Sequence, residues 1–345
     1  MSSRTVGGYR MRSIDIHAHT FTPTMLRTLD AGHDWYGMRY NDEDKRSIFV
    51  REGKVVGIHP KCVYTPEERV ADMDRMGTEV QVVAIHTPVF GYHLSPADGL
   101  AQAQEVNDDI AAFAKEAPSR FAGLSTLPMQ DVDAAIRELD RAVNTLGLKG
   151  AELDTVVNGK TWDEPEFLPF FKAAQSMGAT LFFHPQPQHN LMLERTNKHA
   201  LGNCVGVPVE DTLLVAALIF GGVMENCPDL KVCVAHGGGP ACFGMGRLDR
   251  GWQVRSEARV NISRPPSYYM NRIYYDIVVM SERSLRFLID QVGIERVVLG
   301  SDYPFVPWDP SPTGWLQGLE SITQEEKDMI LWKNLEKLLG IETTG

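Results

Sequence analysis

The sequence predicts an α/β fold, a (β/α)8 barrel with a small insertion after its first strand. Three observations lead there. Eight short apolar, β-rich runs are spread along the 345 residues, and most are continuous rather than alternating, the pattern of parallel strands buried on both faces. Segments of helical length with apolar stripes fill the spaces between these runs. At 43% hydrophobic and 23% charged, a chain of this length can also bury a large core without disulfides.

The strand candidates, in order, are 13–17, 80–86, 121–127, 148–153, 180–184, 231–236, 273–278 and 296–300. Helices are expected over 66–76, 97–115, 132–146, 164–177, 209–224, 281–292 and 324–339. Pro66, Pro96 and Pro208 suit first-turn positions, where the missing N–H has no partner to lose, and Gly77, Gly147 and Gly178 suit helix ends. A doubly wound open sheet is the competing architecture, but no GxGxxG turn follows an early strand. Residues 21–61 interrupt the alternation and are too long for an ordinary strand-to-helix loop. They read as a capping insertion with a strand pair around 47–50 and 54–58, inside a single barrel domain of residues 1–345.

Charge narrows the function classes. With 34 basic against 45 acidic residues the formal charge is −11, which repels phosphate backbones and anionic lipid, so neither nucleic acid nor a membrane is the expected partner. The longest apolar stretch, 212–223, is about half of what a membrane span needs. The N-terminus carries Arg4, Arg10 and Arg12 but no apolar core, unlike a signal peptide. The five cysteines are odd in number and form no CxxC pair, which points to reduced thiols and a cytoplasmic protein.

The chemistry sits at strand ends. His17 closes the first strand candidate with His19 just beyond it, His184 closes the fifth and His236 the sixth, and Asp302 follows the eighth. In a parallel barrel these ends converge on one pocket. His17 and His19, two apart on a strand, face the same side and can reach one cation. His184 adds a third imidazole and Asp302 a hard anionic oxygen. Three imidazoles and one carboxylate suit Zn²⁺, with Fe²⁺, Co²⁺ and Mn²⁺ as alternatives. His236, in the Gly237-Gly238-Gly239 turn, is better placed as a general base than as a ligand. Taken singly, each of these residues has a structural reading, such as a satisfied core histidine or a helix cap for Asp302. Their joint placement favours a metal site. His86, at the end of the second strand candidate, and His93, beyond it, flank a possible pocket wall but read as structural. Arg247, after the glycine turn, is a candidate for a substrate carboxylate, with a surface salt bridge as its alternative. Neither a GxSxG elbow nor a P-loop occurs.

The runs Ile14-Asp15-Ile16-His17-Ala18-His19, Arg120 to Gln130, Val234-Ala235-His236-Gly237-Gly238-Gly239 and Gly300-Ser301-Asp302-Tyr303-Pro304-Phe305 resemble the amidohydrolase superfamily. Within it, the chain is most similar to the branch containing aminocarboxymuconate-semialdehyde decarboxylase. The resemblance implies a barrel with a divalent cation on His17, His19, His184 and Asp302, and His236 acting as base toward water held there. It also implies a homodimer in which Arg247 crosses the interface to the substrate carboxylate. Two departures stand out. Gly57 occupies the place of a second carboxylate-binding arginine, and Pro185-Gln186-Pro187-Gln188 replaces the family's Pro-Trp-Asp. The function so implied is metal-dependent decarboxylation of an unsaturated or aromatic carboxylic acid. A hydrolase or hydratase built on the same site, and a non-catalytic metal-binding protein, are the alternatives.

Overall fold

A computed structural model describes residues 12–343 other than 42, 44–46, 50–54, 187–190 and 307. Its strands are β1 (Ile14–Thr20), β2 (Arg39–Tyr40), β3 (Ser47–Phe49), β4 (Val55–Gly57), β5 (Val80–Ile85), β6 (Phe121–Gly123), β7 (Gly150–Leu153), β8 (Thr180–Phe183), β9 (Lys231–Val234), β10 (Tyr274–Asp276) and β11 (Val297–Val298). β5 pairs in parallel with β1 and β6, and β7 to β11 pair in parallel in chain order. Backbone hydrogen bonds join the two sheets at both seams. Ser125 N donates to Gly150 O at 2.9 Å on one side, and Ile16 N donates to Leu299 O at 3.1 Å on the other. The order therefore runs from β1 through β5–β11 and back to β1, the eight-stranded barrel that the alternation predicts.

The helices follow local chemistry. The helix Pro66–Met76 opens on a capping box between Thr65 and Glu68 and closes on Gly77 at φ 74°. Its inner face, with Met73 buried, lies on the barrel wall. Core side chains such as Ile16, Val83, Leu181, Phe183, Val232 and Leu299 are buried, as both-faced burial of parallel strands requires.

Three expectations change in detail. β1 does not stop at His17 but runs to Thr20, and its register against β5 slips between Asp15 and Ala18, a bulge in the strand that carries both histidines. The insertion holds the expected antiparallel pair, β3 with β4, although Val50, Gly53 and Lys54 lie outside the described residues. It also holds a helix, Pro23–Asp30, and a third strand, β2, too short to leave a pattern in sequence. Finally, the helix expected over 209–224 is shifted toward the N-terminus: it starts at Gly202 and ends at Phe220, long and apolar enough in composition to cross a membrane, and Val223–Asn226 forms a separate short helix. Here it packs on the barrel, with Leu214, Val215, Leu218 and Ile219 buried beside the charged Glu210 and Asp211.

Candidate metal centre

The C-terminal ends of five barrel strands bring their polar residues to one place. His17 and His19 lie within β1, and Glu152 is the third residue of β7. His184 follows β8, Asp276 ends β10, and Asp302 lies beyond β11. The ligand atoms of His17, His19, His184 and Asp302 all lie within 4.8 Å of one another, and all four residues are buried. His17 Nε2 and His19 Nε2 are 3.2 Å apart. Each is 3.3 Å from Asp302 Oδ1. Two donors bound to one Zn²⁺ at ordinary bond lengths in tetrahedral geometry are about 3.4 Å apart, so these edges fit a single cation. Among the described residues His184 Nε2 is buried without a hydrogen-bond partner, its Nδ1 donating instead to the Pro185 carbonyl at 2.8 Å. An orphaned imidazole nitrogen facing two others and a carboxylate is what a cation would satisfy. The donor set fits the group.

Electrostatics agree. Burial opposes a charged His17 ring, but the carboxylates of Asp302 and Asp276 outweigh it and hold that imidazole well above the ordinary histidine value. Burial pulls His19 down to about 4. Burial also pushes against the Asp302 carboxylate, yet His17 and His19 hold it well below the usual range. The cluster thus carries one firmly anionic oxygen amid rings that cannot all be protonated together.

Beside it, His236 Nδ1 donates to Asp211 Oδ2 at 2.9 Å, with Asp211 fully buried. The His236 ring centroid is 4.9 Å from that of His184 and 5.4 Å from that of His17. His236 has φ 53° and Asp302 φ 55°, left-handed conformations that side chains rarely adopt and that cluster at functional sites. The turn after His236 can form only with glycine: Gly239 has φ 56° and ψ −149°, and a Cβ there would sit 1.9 Å from the Pro208 carbonyl.

Of the remaining candidates, His86 stacks on Phe305 (4.6 Å between centroids) and stands edge-on to His19, at the rim of the cluster. His93 is exposed. Arg247 is exposed in the first turn of the helix Met245–Val254 and is not among the side chains that meet at the centre. Three acids escaped the sequence reading. Asp276 and Glu152 each interrupt an apolar run near a strand end, the same signal that His184 gave. Asp211 sits on a helix, where no comparable signal exists.

Imidazoles and a carboxylate gathered at the C-terminal end of a parallel barrel define the class of metal-dependent barrel enzymes. The amidohydrolase family model matches residues 14–341, and the chain belongs to that family. It is 33% identical over 338 residues to the 2-amino-3-carboxymuconate-6-semialdehyde decarboxylase of Dictyostelium discoideum, covering 96% of this chain and 93% of that one. The same fold is seen in 5-carboxyvanillate decarboxylase from Sphingomonas paucimobilis, with TM-score 0.82, 23% identity and coverage of 96% and 99%. It recurs in a manganese-bound dihydroxybenzoic acid decarboxylase from a Polaromonas species, with TM-score 0.79, 23% identity and coverage of 95% and 97%.

Proposed function

We infer that the protein is a divalent-cation-dependent decarboxylase acting on an aromatic or unsaturated carboxylic acid. The observation that carries this reading is the four-residue cluster with the His236–Asp211 pair against it. The naming of relatives as decarboxylases supports the reaction type. His17, His19, His184 and Asp302 hold the cation, either Zn²⁺ or a neighbour in the series such as Mn²⁺, Fe²⁺ or Co²⁺. When bound, it supplies Lewis acidity that polarises a substrate oxygen and stabilises negative charge.

The chain's own residues do the rest. Losing CO₂ leaves the electron pair of the broken C–C bond in the conjugated system, and a proton must reach the carbon that bore the carboxylate. His236 is the group to carry it. Asp211 occupies its Nδ1, which leaves Nε2 as the atom that takes or gives the proton. The buried walls around the cluster exclude water and strengthen each of these interactions.

Gly57 leaves the insertion without the arginine that the resemblance expects, so the substrate carboxylate needs another cationic partner. Arg247, supplied by a neighbouring subunit of a homodimer, fills that role in this reading. Its surroundings favour self-association: Phe243, 83% exposed, packs near Phe287 close to Arg247 in the chain. The five cysteines, none in a disulfide, support a cytoplasmic setting.

The test is a panel of hydroxylated benzoates and unsaturated dicarboxylates incubated with Mn²⁺- or Zn²⁺-loaded protein while CO₂ is measured. Release of one CO₂ per substrate consumed supports the reading. Conversion of a panel member by addition of water, with no CO₂, replaces it with the hydrolase or hydratase reading.

A further inference from the structure

We propose that Glu152 is a positioning residue of the metal centre, its carboxyl group accepting the Nδ1 proton of His19 so that the Nε2 lone pair of that ring stays turned toward the cation. The proposal rests on the cation-binding reading above and goes beyond it, adding a residue that the four-ligand cluster does not contain. Glu152 is on β7, 1% exposed, and among the described residues neither of its oxygens meets a hydrogen-bond donor. His19 Nδ1 likewise has no hydrogen bond. The two orphans face each other, with Glu152 Oε1 3.7 Å from His19 Nδ1. An approach of about 0.5–1 Å would bring the pair into hydrogen-bond range.

The other rings show what the missing contact is for. Nδ1 of His17 donates to Asp276, that of His184 to the Pro185 carbonyl, and that of His236 to Asp211. Each contact assigns the proton to Nδ1 and leaves Nε2 free. A ring that binds a cation through Nε2 must be in this tautomer, and an acceptor at Nδ1 both selects it and fixes the ring plane. His19 is the one ring of the set whose acceptor stands just out of reach, and Glu152 occupies that place. Folding alone does not account for it, because burying a carboxyl group with no donor costs stability that a leucine of similar length would not.

The experiment compares metal-free wild-type protein with Glu152→Gln, Glu152→Leu and Glu152→Ala, titrating each with Mn²⁺ and reading free Mn²⁺ by electron paramagnetic resonance. Leucine and alanine both remove the acceptor, so loss of fold in one leaves the comparison to the other. Glutamine keeps an acceptor oxygen. The proposal predicts that E152L and E152A bind Mn²⁺ about 10–100-fold more weakly, that E152Q retains most of the affinity, and that metal-free E152L melts no lower than wild type. Wild-type affinity in E152L or E152A overturns the proposal, and so does a loss in E152Q as large as that in E152L. A wild-type protein that takes up no Mn²⁺ overturns the cation-binding reading itself, which separates the two failures.

Discussion

His17 Nδ1 donates to Asp276 Oδ2 at 2.7 Å across 259 residues of sequence, with both side chains fully buried. The contact joins β1 to β10 and sets the ring so that Nε2 faces His19 and Asp302. Gly300 permits it, since a Cβ there would come within 2.7 Å of Asp276 Cβ and 3.0 Å of His17 Cβ. An aspartate with no role at the metal would be a costly occupant of this layer.

Asp276→Asn keeps the shape of the side chain, but its amide offers one acceptor oxygen where the carboxylate offered two, one of which also receives Gly237 N at 3.1 Å. Cation affinity is expected to fall about 10–100-fold, measured by competition with a chelator of known affinity. Gly300→Ala should move the same pair and lower both affinity and thermal stability, by about 1–3 kcal/mol for the strain of overpacking.

His236→Asn should keep the cation and lose about 10²–10⁴-fold in kcat. Asp211→Asn should keep it too and lose less, because the ring remains but its Nδ1 contact weakens. Metal content by elemental analysis beside steady-state kinetics checks both. Loss of metal in His236→Asn would make that residue a ligand.

How much of this was legible in the sequence follows from where each residue sits. The strand-end histidines stood out because an imidazole that closes an apolar run has few structural reasons to be there. Asp302 was legible through the same placement, and the parallel order of eight strands through continuous apolar runs alternating with helices. Asp211 was not legible: it lies in a helix, and its tie to His236 exists only once that helix packs against the glycine turn. The bulge in β1 left no trace either, because register is a property of the pair β1–β5 and not of one strand. β2, two residues long, is too short to show a period.

Asp72 offers a pH test away from the centre. Burial raises its pKa, but Lys61 Nζ at 2.8 Å, Tyr303 Oη at 2.8 Å and Arg75 Nη2 at 2.6 Å outweigh this and hold the carboxyl below its ordinary value of 3.8. A depressed carboxylate contributes stability that is present above the unfolded-state value and is lost as pH falls through the folded-state value. Asp72→Asn should therefore melt lower than wild type at pH 7, and the gap should narrow below about pH 4. A constant gap across melting curves from pH 7 down to pH 3 would contradict this.

Arg247→Ala should raise KM or lower kcat with metal content unchanged, since an arginine fork holds a carboxylate through two hydrogen bonds. Mixing it with inactive His236→Ala under proven subunit exchange should restore activity, because one site of each heterodimer receives both intact residues. No recovery would confine Arg247 to its own subunit.

The most direct test of the central claim is the cation content of purified His17→Ala, His184→Ala and Asp302→Ala beside wild type, measured by elemental analysis after dialysis against a weak chelator. Each substitution removes one of four donors gathered within 4.8 Å. The account predicts close to one divalent cation per wild-type chain and a marked loss in all three variants. Full occupancy in the three variants would contradict it.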